Sequence, residues 1–359
     1  MKKAQGSIIF LQNNFFEWTS GSIKLFCHQM ILPIFLLSLV GCQSFTGGSP
    51  EWVENPKSVY PESNYLVAVG AGDTRRAAEN SAAGNLSRIF EAHIQSDERI
   101  LDKSRETNSS FERTTDFTAD INILSAQTLY NIQHAEAWKD DKGRYHAVAY
   151  LERRETAAIY RDMINKQTTR VNFLLASAKT TTDLLKRYAT LRTANRHATE
   201  ADSLLRQLKV IHSPSVAGLT PSYSVNQLRK ALADSAKKIK VSIRIQGDNE
   251  NRMTQSVEAF ITRYGFVVGQ PMVLDISGRV AVTDTGEREQ GLVFVRYELA
   301  LQIKDSEGTL IASVGDKGRE AHKSLEQARV RSFRTLGNAI QANGAQRLDA
   351  YFDSLIDQQ

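Results

Sequence analysis

Apolar positions recur along this chain with several periods, and each period marks a different kind of element. From Met30 to Val40 about eleven residues (MILPIFLLSLV) are almost pure hydrocarbon. At 1.5 Å rise per residue such a run is too short for a bilayer core of about 30 Å, which needs roughly twenty residues. Its length suits a signal-peptide core, with Lys24 as a short positive flank. Prolines 50, 56 and 61 then predict an extended or turning lead-in on a domain surface. Tyr65 to Val69 is a short apolar strand, Gly70-Ala-Gly72 a tight turn, and Asp73 or Thr74 the cap of a helix. On that helix Ala78, Ala82, Leu86, Ile89, Phe90, His93 and Ile94 fall on one face at steps of three and four. Beyond about residue 98 the chain is polar, and Ile121 to Leu129 fits helix and strand equally. Tyr130 to Lys139 and Tyr145 to Leu151 then alternate about an Asp140-Asp-Lys-Gly143 turn, which predicts a hairpin.

A helical period follows from Glu155 to Ile211. It carries stripes at Val171, Leu174, Leu175 and Ala178, at Leu184, Leu185, Tyr188 and Leu191, and at Leu204, Leu205, Leu208 and Ile211, with a break at Thr180 to Asp183. These stripes predict helices packed on each other, ending in a Ser213–Ser224 loop. Strand alternation returns at Val241, Ile243 and Ile245, and Met253 to Tyr264 is an amphipathic helix. Strands are predicted over Pro271 to Thr285, Gly291 to Lys304 and Leu310 to Val314. The middle one is the clearest, with Val293, Val295, Tyr297, Leu299, Leu301 and Ile303 at every second position. Ser324 with Gln327 caps a last helix that buries Ala328, Phe333, Leu336 and Ile340 and bends near Gly344.

The expected fold is therefore α+β. Two small sheet domains, of β-α-β-β and β-α-β-β-β-α type, are joined by a helical hairpin or bundle, with helices on one face of a mainly antiparallel second sheet. The expected divisions are a signal peptide at 1–41, a tether and lead-in at 42–60, a first α+β domain at 61–154, a helical segment at 155–238 and a second α+β domain at 239–359. Residues 1–23 make a poor positive flank, so the true start is expected further downstream.

Composition narrows the function without naming it. Lysine and arginine number 45 against 40 acids; removal of 1–41 leaves 42 against 39. No concentrated basic stripe marks a nucleic-acid binder. Both cysteines, Cys27 and Cys42, lie near the N-terminus, so a chain cleaved before Cys42 and acylated on it keeps no free thiol and no cysteine-ligated metal.

The apolar run ends in Leu39-Val40-Gly41-Cys42, which resembles the lipobox of bacterial lipoproteins. That resemblance implies recognition of Leu39, Val40 and Gly41 by the signal peptidase, and lipidation of Cys42. Gln43 to Pro50 (QSFTGGSP) is small and polar, as a tether should be. The absence of Asp after the cysteine implies, by the same resemblance, outer-membrane retention facing the periplasm.

Local catalytic chemistry is sparse. Gly70-Ala-Gly72 between strand and helix lacks the third glycine of a dinucleotide fingerprint, that position being Arg75. Arg75 and Arg76 could still attract an anion, though a simple turn is the better reading. His93, His134, His146, His197, His212 and His322 show no chelating spacing. No nucleophile elbow or Walker loop is present, and Asp140 and Asp141 suit a turn. No catalytic residue, cofactor or metal is expected.

Pro50-Glu-Trp-Val53 after the lipidated cysteine, Tyr65 to Gly72, the Ala-rich Thr74–Phe90 helix, Glu136-Ala-Trp138 and Tyr145 to Arg153 together resemble the Lpp-twenty lipoprotein family, over roughly 50–154. The resemblance implies a bacterial envelope lipoprotein, with some members tied to flagellar assembly, and no catalytic residues. The 240–359 unit is similar in fold to modules such as the curli-secretion lipoprotein. The expectation is a non-enzymatic interaction module, held at the membrane by lipid and docking unidentified envelope proteins, with oligomerisation left open. The alternatives are a regulator of peptidoglycan synthesis and an unrecognised hydrolase.

Overall fold

The structure, a computed structural model, describes residues 48–106 and 129–357, with side chains over 48–96 and 129–356. Cys42 with Leu39, Val40 and Gly41, and the undecided stretch from Ile121, lie outside the described residues apart from Leu129.

The lead-in takes the turning form of its two expected geometries, as two single-turn helices, α1 (Glu51–Glu54) and α2 (Pro56–Val59), and departs from expectation in being packed down rather than lying on a surface. Pro56 sits at the start of α2, where the missing N–H has no intrahelical partner to lose. The turns let Trp52 and Tyr60 point inward against the first sheet instead of lying on a surface.

The first sheet contains β1 (Tyr65–Gly72), β2 (Gln133–Lys139) and β3 (Tyr145–Glu152), antiparallel in the order β1-β3-β2. The hairpin turn forms as its residues dictate. Asp140 Oδ1 accepts from the amides of Lys142 and Arg144 at 3.0 and 2.8 Å, and Gly143 takes the positive φ that closes the turn. One face of the sheet packs on α3 (Arg75–Glu106). Leu66, Ala68, Ala149 and Leu151 meet Ala82, Leu86 and Phe90. Ile89 and His93, expected on that buried face, are exposed. The seven expected positions span too wide an arc, and the core takes in only the stripe through Ala78, Ala82, Leu86, Phe90 and the half-buried Ile94.

Gly70-Ala-Gly72 is likewise not a turn. It continues β1, opposite Ala147, His146 and Tyr145. A Cβ on Gly70 would lie 2.1 Å from the Ala82 nitrogen, and one on Gly72 2.7 Å from Ala77 Cβ. These glycines let helix and strand approach backbone to backbone, with no third glycine required.

The helical hairpin is α4 (Arg153–Thr180) and α5 (Leu184–His212). Its break falls where expected, because the Asp183 side chain caps α5 by accepting from the amides of Leu185 and Lys186. The two ends of this pair serve different cores. Ala157, Tyr160 and Ile164 join Leu204, Leu208 and Ile211 under the first sheet. Val171, Leu174, Leu185 and Tyr188 belong to the core of the second. A short 3-10 turn, Ser213–Val216, and α6 (Val225–Ala236) complete the helical segment.

The second sheet runs β5-β4-β6-β7-β8, from β4 (Lys240–Gln246), β5 (Val267–Val268), β6 (Leu274–Glu289), β7 (Leu292–Asp305) and β8 (Leu310–His322). It is mainly antiparallel, as expected, with a parallel portion at β4 that was not. β4 is parallel to β5 and β6, because α7 (Arg252–Arg263) carries the chain back across the sheet between them. β6, β7 and β8 then meander antiparallel. β8 runs eight residues beyond its expected end. Its Gly315 and Gly318 look like strand breakers, yet Gly318 sits beneath the Tyr297 ring, which fills the space a side chain would need. After α8 (Leu325–Ala339) comes a π-turn, Ile340–Gly344, and then α9 (Ala345–Asp357), at the expected bend. No helix among the described residues is long and apolar enough to cross a membrane.

Candidate functional site: the clamped lead-in and the open sheet face

Two surfaces stand out once the cores are accounted for. The first is the face of the first sheet turned away from α3. Trp52, only 3% exposed, packs there with Tyr60 and Val148. Its indole nitrogen donates to Glu136 Oε2 on β2 at 2.7 Å. Tyr60 stacks on Tyr150 at 5.1 Å and meets Tyr65 edge-on at 5.6 Å. Burial, with the Glu136 carboxylate second, pushes the Tyr60 phenol above its usual range. The stretch from Trp52 to Tyr60 is therefore fastened to the folded body.

Arg153 completes the fastening. Its Nε donates to the Glu62 carbonyl at 2.8 Å, and Nη1 donates to the carbonyls of Val210 and Ile211 at 3.0 and 2.6 Å. One guanidinium thus ties the lead-in to the C-terminal turn of α5, whose last carbonyls have no intrahelical partners. Beside it, Glu152 accepts from the amides of Arg154 and Glu155 and starts α4. Nothing in the period of the sequence points to these roles. The only local clue is a charged pair closing an apolar strand.

The residues weighed for chemistry do not converge. Arg75 is matched by Glu79 at 2.8 Å, and Thr74 takes the Ala77 and Ala78 amides, so the helix start has partners of its own. His146 Nε2 lies 3.1 Å from Asp140 Oδ2, and that contact, ahead of the Arg144 amide, holds the Asp140 carboxyl below the usual range. Trp138 lies against the same imidazole. His197 faces Gln167 at 2.5 Å and His212 faces Ser215 at 2.7 Å. Among the described residues no three His, Cys, Asp or Glu side chains come together as a metal site would require.

The second surface is the outer face of the five-stranded sheet. Val295, Tyr297, Leu299, Leu301 and Ile303 turn toward the helices, so Arg296, Glu298, Ala300 and Gln302 point to solvent. Register places Ser277 and Ser313 beside Gln302, and Arg279 and Gly315 beside Ala300. These small side chains floor a shallow trough of about 700 Å³. At its edge Arg244 makes two 3.0 Å contacts to the Asp275 carboxylate. Burial raises that carboxyl, but hydrogen bonds from Ser277 and Arg244 prevail and hold it below its usual range. Among the described residues no helix covers this face, and Arg296, Glu298, Ala300 and Gln302 are exposed.

The class defined by these features is an α+β protein of two sheets bridged by a long helical hairpin, with an aromatic lead-in clamped to the first sheet. Residues 50–152, from the lead-in through β3, match the LPP20 lipoprotein family. Among solved structures the chain is similar to the secreted protein HP1454 from the human pathogen Helicobacter pylori, at 14% identity and a TM-score of 0.45, over 81% of this chain and 98% of that one. It is also similar to a minor lipoprotein from Acinetobacter baumannii, at 16% identity and a TM-score of 0.24, over 32% and 92%. No curated protein matches.

Proposed function

We propose that this protein is a lipid-anchored envelope lipoprotein, held by an acylated Cys42 in the outer membrane, facing the periplasm and acting as a non-enzymatic interaction module. The observation that carries the reading is the order of two signals. Leu39-Val40-Gly41-Cys42 closes the apolar run, and the LPP20 match begins at residue 50. The clamp on Trp52 supports it. Ten residues from Cys42 to Trp52 span at most about 35 Å when extended, so the folded body works close to the bilayer. A single acyl chain holds only marginally and several hold stably, so a multiply acylated cysteine needs no spanning helix.

Replacing Cys42 with Ser tests the anchor. The variant is expected to accumulate as precursor and to take up no radiolabelled palmitate, while the parent is labelled and sediments with outer membranes. Normal labelling of the variant would end this reading.

A further inference from the structure

The open face of the second sheet carries more cations than carboxylates. Three of its cations have partners: Arg244 with Asp275 at 3.0 Å, Arg279 with Glu298 at 3.6 Å, and Arg319 with Glu287. Four others, Lys240, Arg296, Lys304 and Lys317, share the face by register and make no ion pair among the described residues. Three carboxylates are thus spoken for, and Glu289, opposite Leu292, is a further acid on the face by register, so the four unpaired cations leave a surplus of about three positive charges. The four cations spread over three of the strands, at both ends of the trough rather than around it.

We propose that this face docks onto an anionic membrane surface, with phosphate-bearing lipid headgroups as its ligands. Three observations favour that occupant. The uncompensated charges are dispersed across a broad face, which suits a surface of many charges better than one ligand. The middle of the face is Ser, Gln, Ala and Gly, without the aromatic or aliphatic anchors on which a specific protein interface depends; the exposed Val267 and Leu310 lie at its two edges, opposite Lys240 and Lys304, and Phe294 lies under the Arg319 guanidinium. The same face of a second copy does not suit it, since like charge would meet like charge. The choice of a membrane also rests on the anchored reading, because a body tethered within about 35 Å of a bilayer meets headgroups before anything else. Juxtamembrane cations of this kind are attracted to anionic lipid within about a Debye length.

The test uses the chain from residue 43 onward, which keeps every described residue but lacks both Cys42 and the apolar run at 30–40, so that neither acyl chain nor leader contributes, with vesicles of phosphatidylcholine with or without 30 mol% phosphatidylglycerol. Binding is expected to strengthen with the anionic lipid, and a companion carrying Arg296→Gln, Lys304→Gln and Lys317→Gln should bind those vesicles roughly 100-fold more weakly at low salt. The difference should vanish in high salt. A control losing Lys142, Lys166 and Lys179, three exposed lysines elsewhere, should bind like the parent. Equal loss in that control, or no loss in the sheet variant, would overturn the proposal. So would a result in which polyglutamate, but not the vesicles, binds in a manner needing the three sheet cations, since the partner would then be an acidic protein segment. Fatty-acid labelling of the full chain is read separately, so failure of the anchor and failure of the docking face give different results.

Discussion

Gly70 decides how closely two elements of the first sheet can lie. A Cβ there would sit 2.1 Å from the Ala82 nitrogen and 2.7 Å from the Ala78 carbonyl oxygen, both backbone atoms that cannot swing aside. Gly84, on the same helix, has nothing within 4 Å of its would-be Cβ. Opposite outcomes are expected from the same substitution. Gly70→Ala should destabilise by about 1–3 kcal/mol, as overfilled cores do. Gly84→Ala should stabilise by about 0.5–1 kcal/mol by removing a mid-helix glycine. Urea unfolding of the two variants separates them, and an unaffected Gly70→Ala would mean that α3 does not lie where it is described. A second residue bears on pH. Burial first, then the Arg196 and Arg170 guanidiniums, keep the His197 imidazole below its ordinary value of 6.5. The unfolded chain therefore binds this proton more readily than the folded one. Stability is whole above about pH 6.5 and is lost as pH falls toward the lowered folded value. His197→Gln should flatten that decline in thermal midpoints measured between pH 7.5 and 5.5, and an unchanged slope would assign it to other groups.

At the scale of elements, the hairpin break shows what local chemistry can specify. Asp183 offers its carboxylate to two amides that α5 leaves free. Asp183→Ala should cost about 1 kcal/mol, whereas Thr182→Ala, at an exposed position in the same break, should cost little. Chemical denaturation compares the two. Caps, turns and alternation depend on residues a few positions apart, and so they were legible: the Asp140 turn, the β7 alternation and the bend at Gly344 all form where the sequence places them. Elements whose form depends on a neighbour were not. β8 extends through two glycines because β7 pairs with it over its whole length. The one-turn helices of the lead-in form because Trp52 and Tyr60 gain a buried site on a sheet that begins more than ten residues after Trp52.

At the scale of the whole molecule, the lead-in and the hairpin are what join distant parts. α4 and α5 enter both cores, so each sheet is packed against the same pair of helices. Trp52→Ala should release the lead-in, losing up to about 3–5 kcal/mol if the site cannot refill. Limited proteolysis would show this as faster cleavage between residues 48 and 64, with the later fragments intact; a wild-type cleavage rate would refute the clamp. By itself the sequence determined the apolar run that ends at Cys42, the order and kind of most elements, and the turns and caps between them. Each of these follows from side chains near one another along the chain. Tertiary structure alone decided the mixed strand order, the close approach at Gly70 and Gly72, the clamp and the charge on the open sheet face. Those depend on pairs such as Trp52 and Glu136, which are 84 residues apart, or on strands that bring Arg296, Lys304 and Lys317 onto one side. The reason is physical: periodicity tells which side of an element is apolar, and only the packing of that side determines what its other side is left to meet.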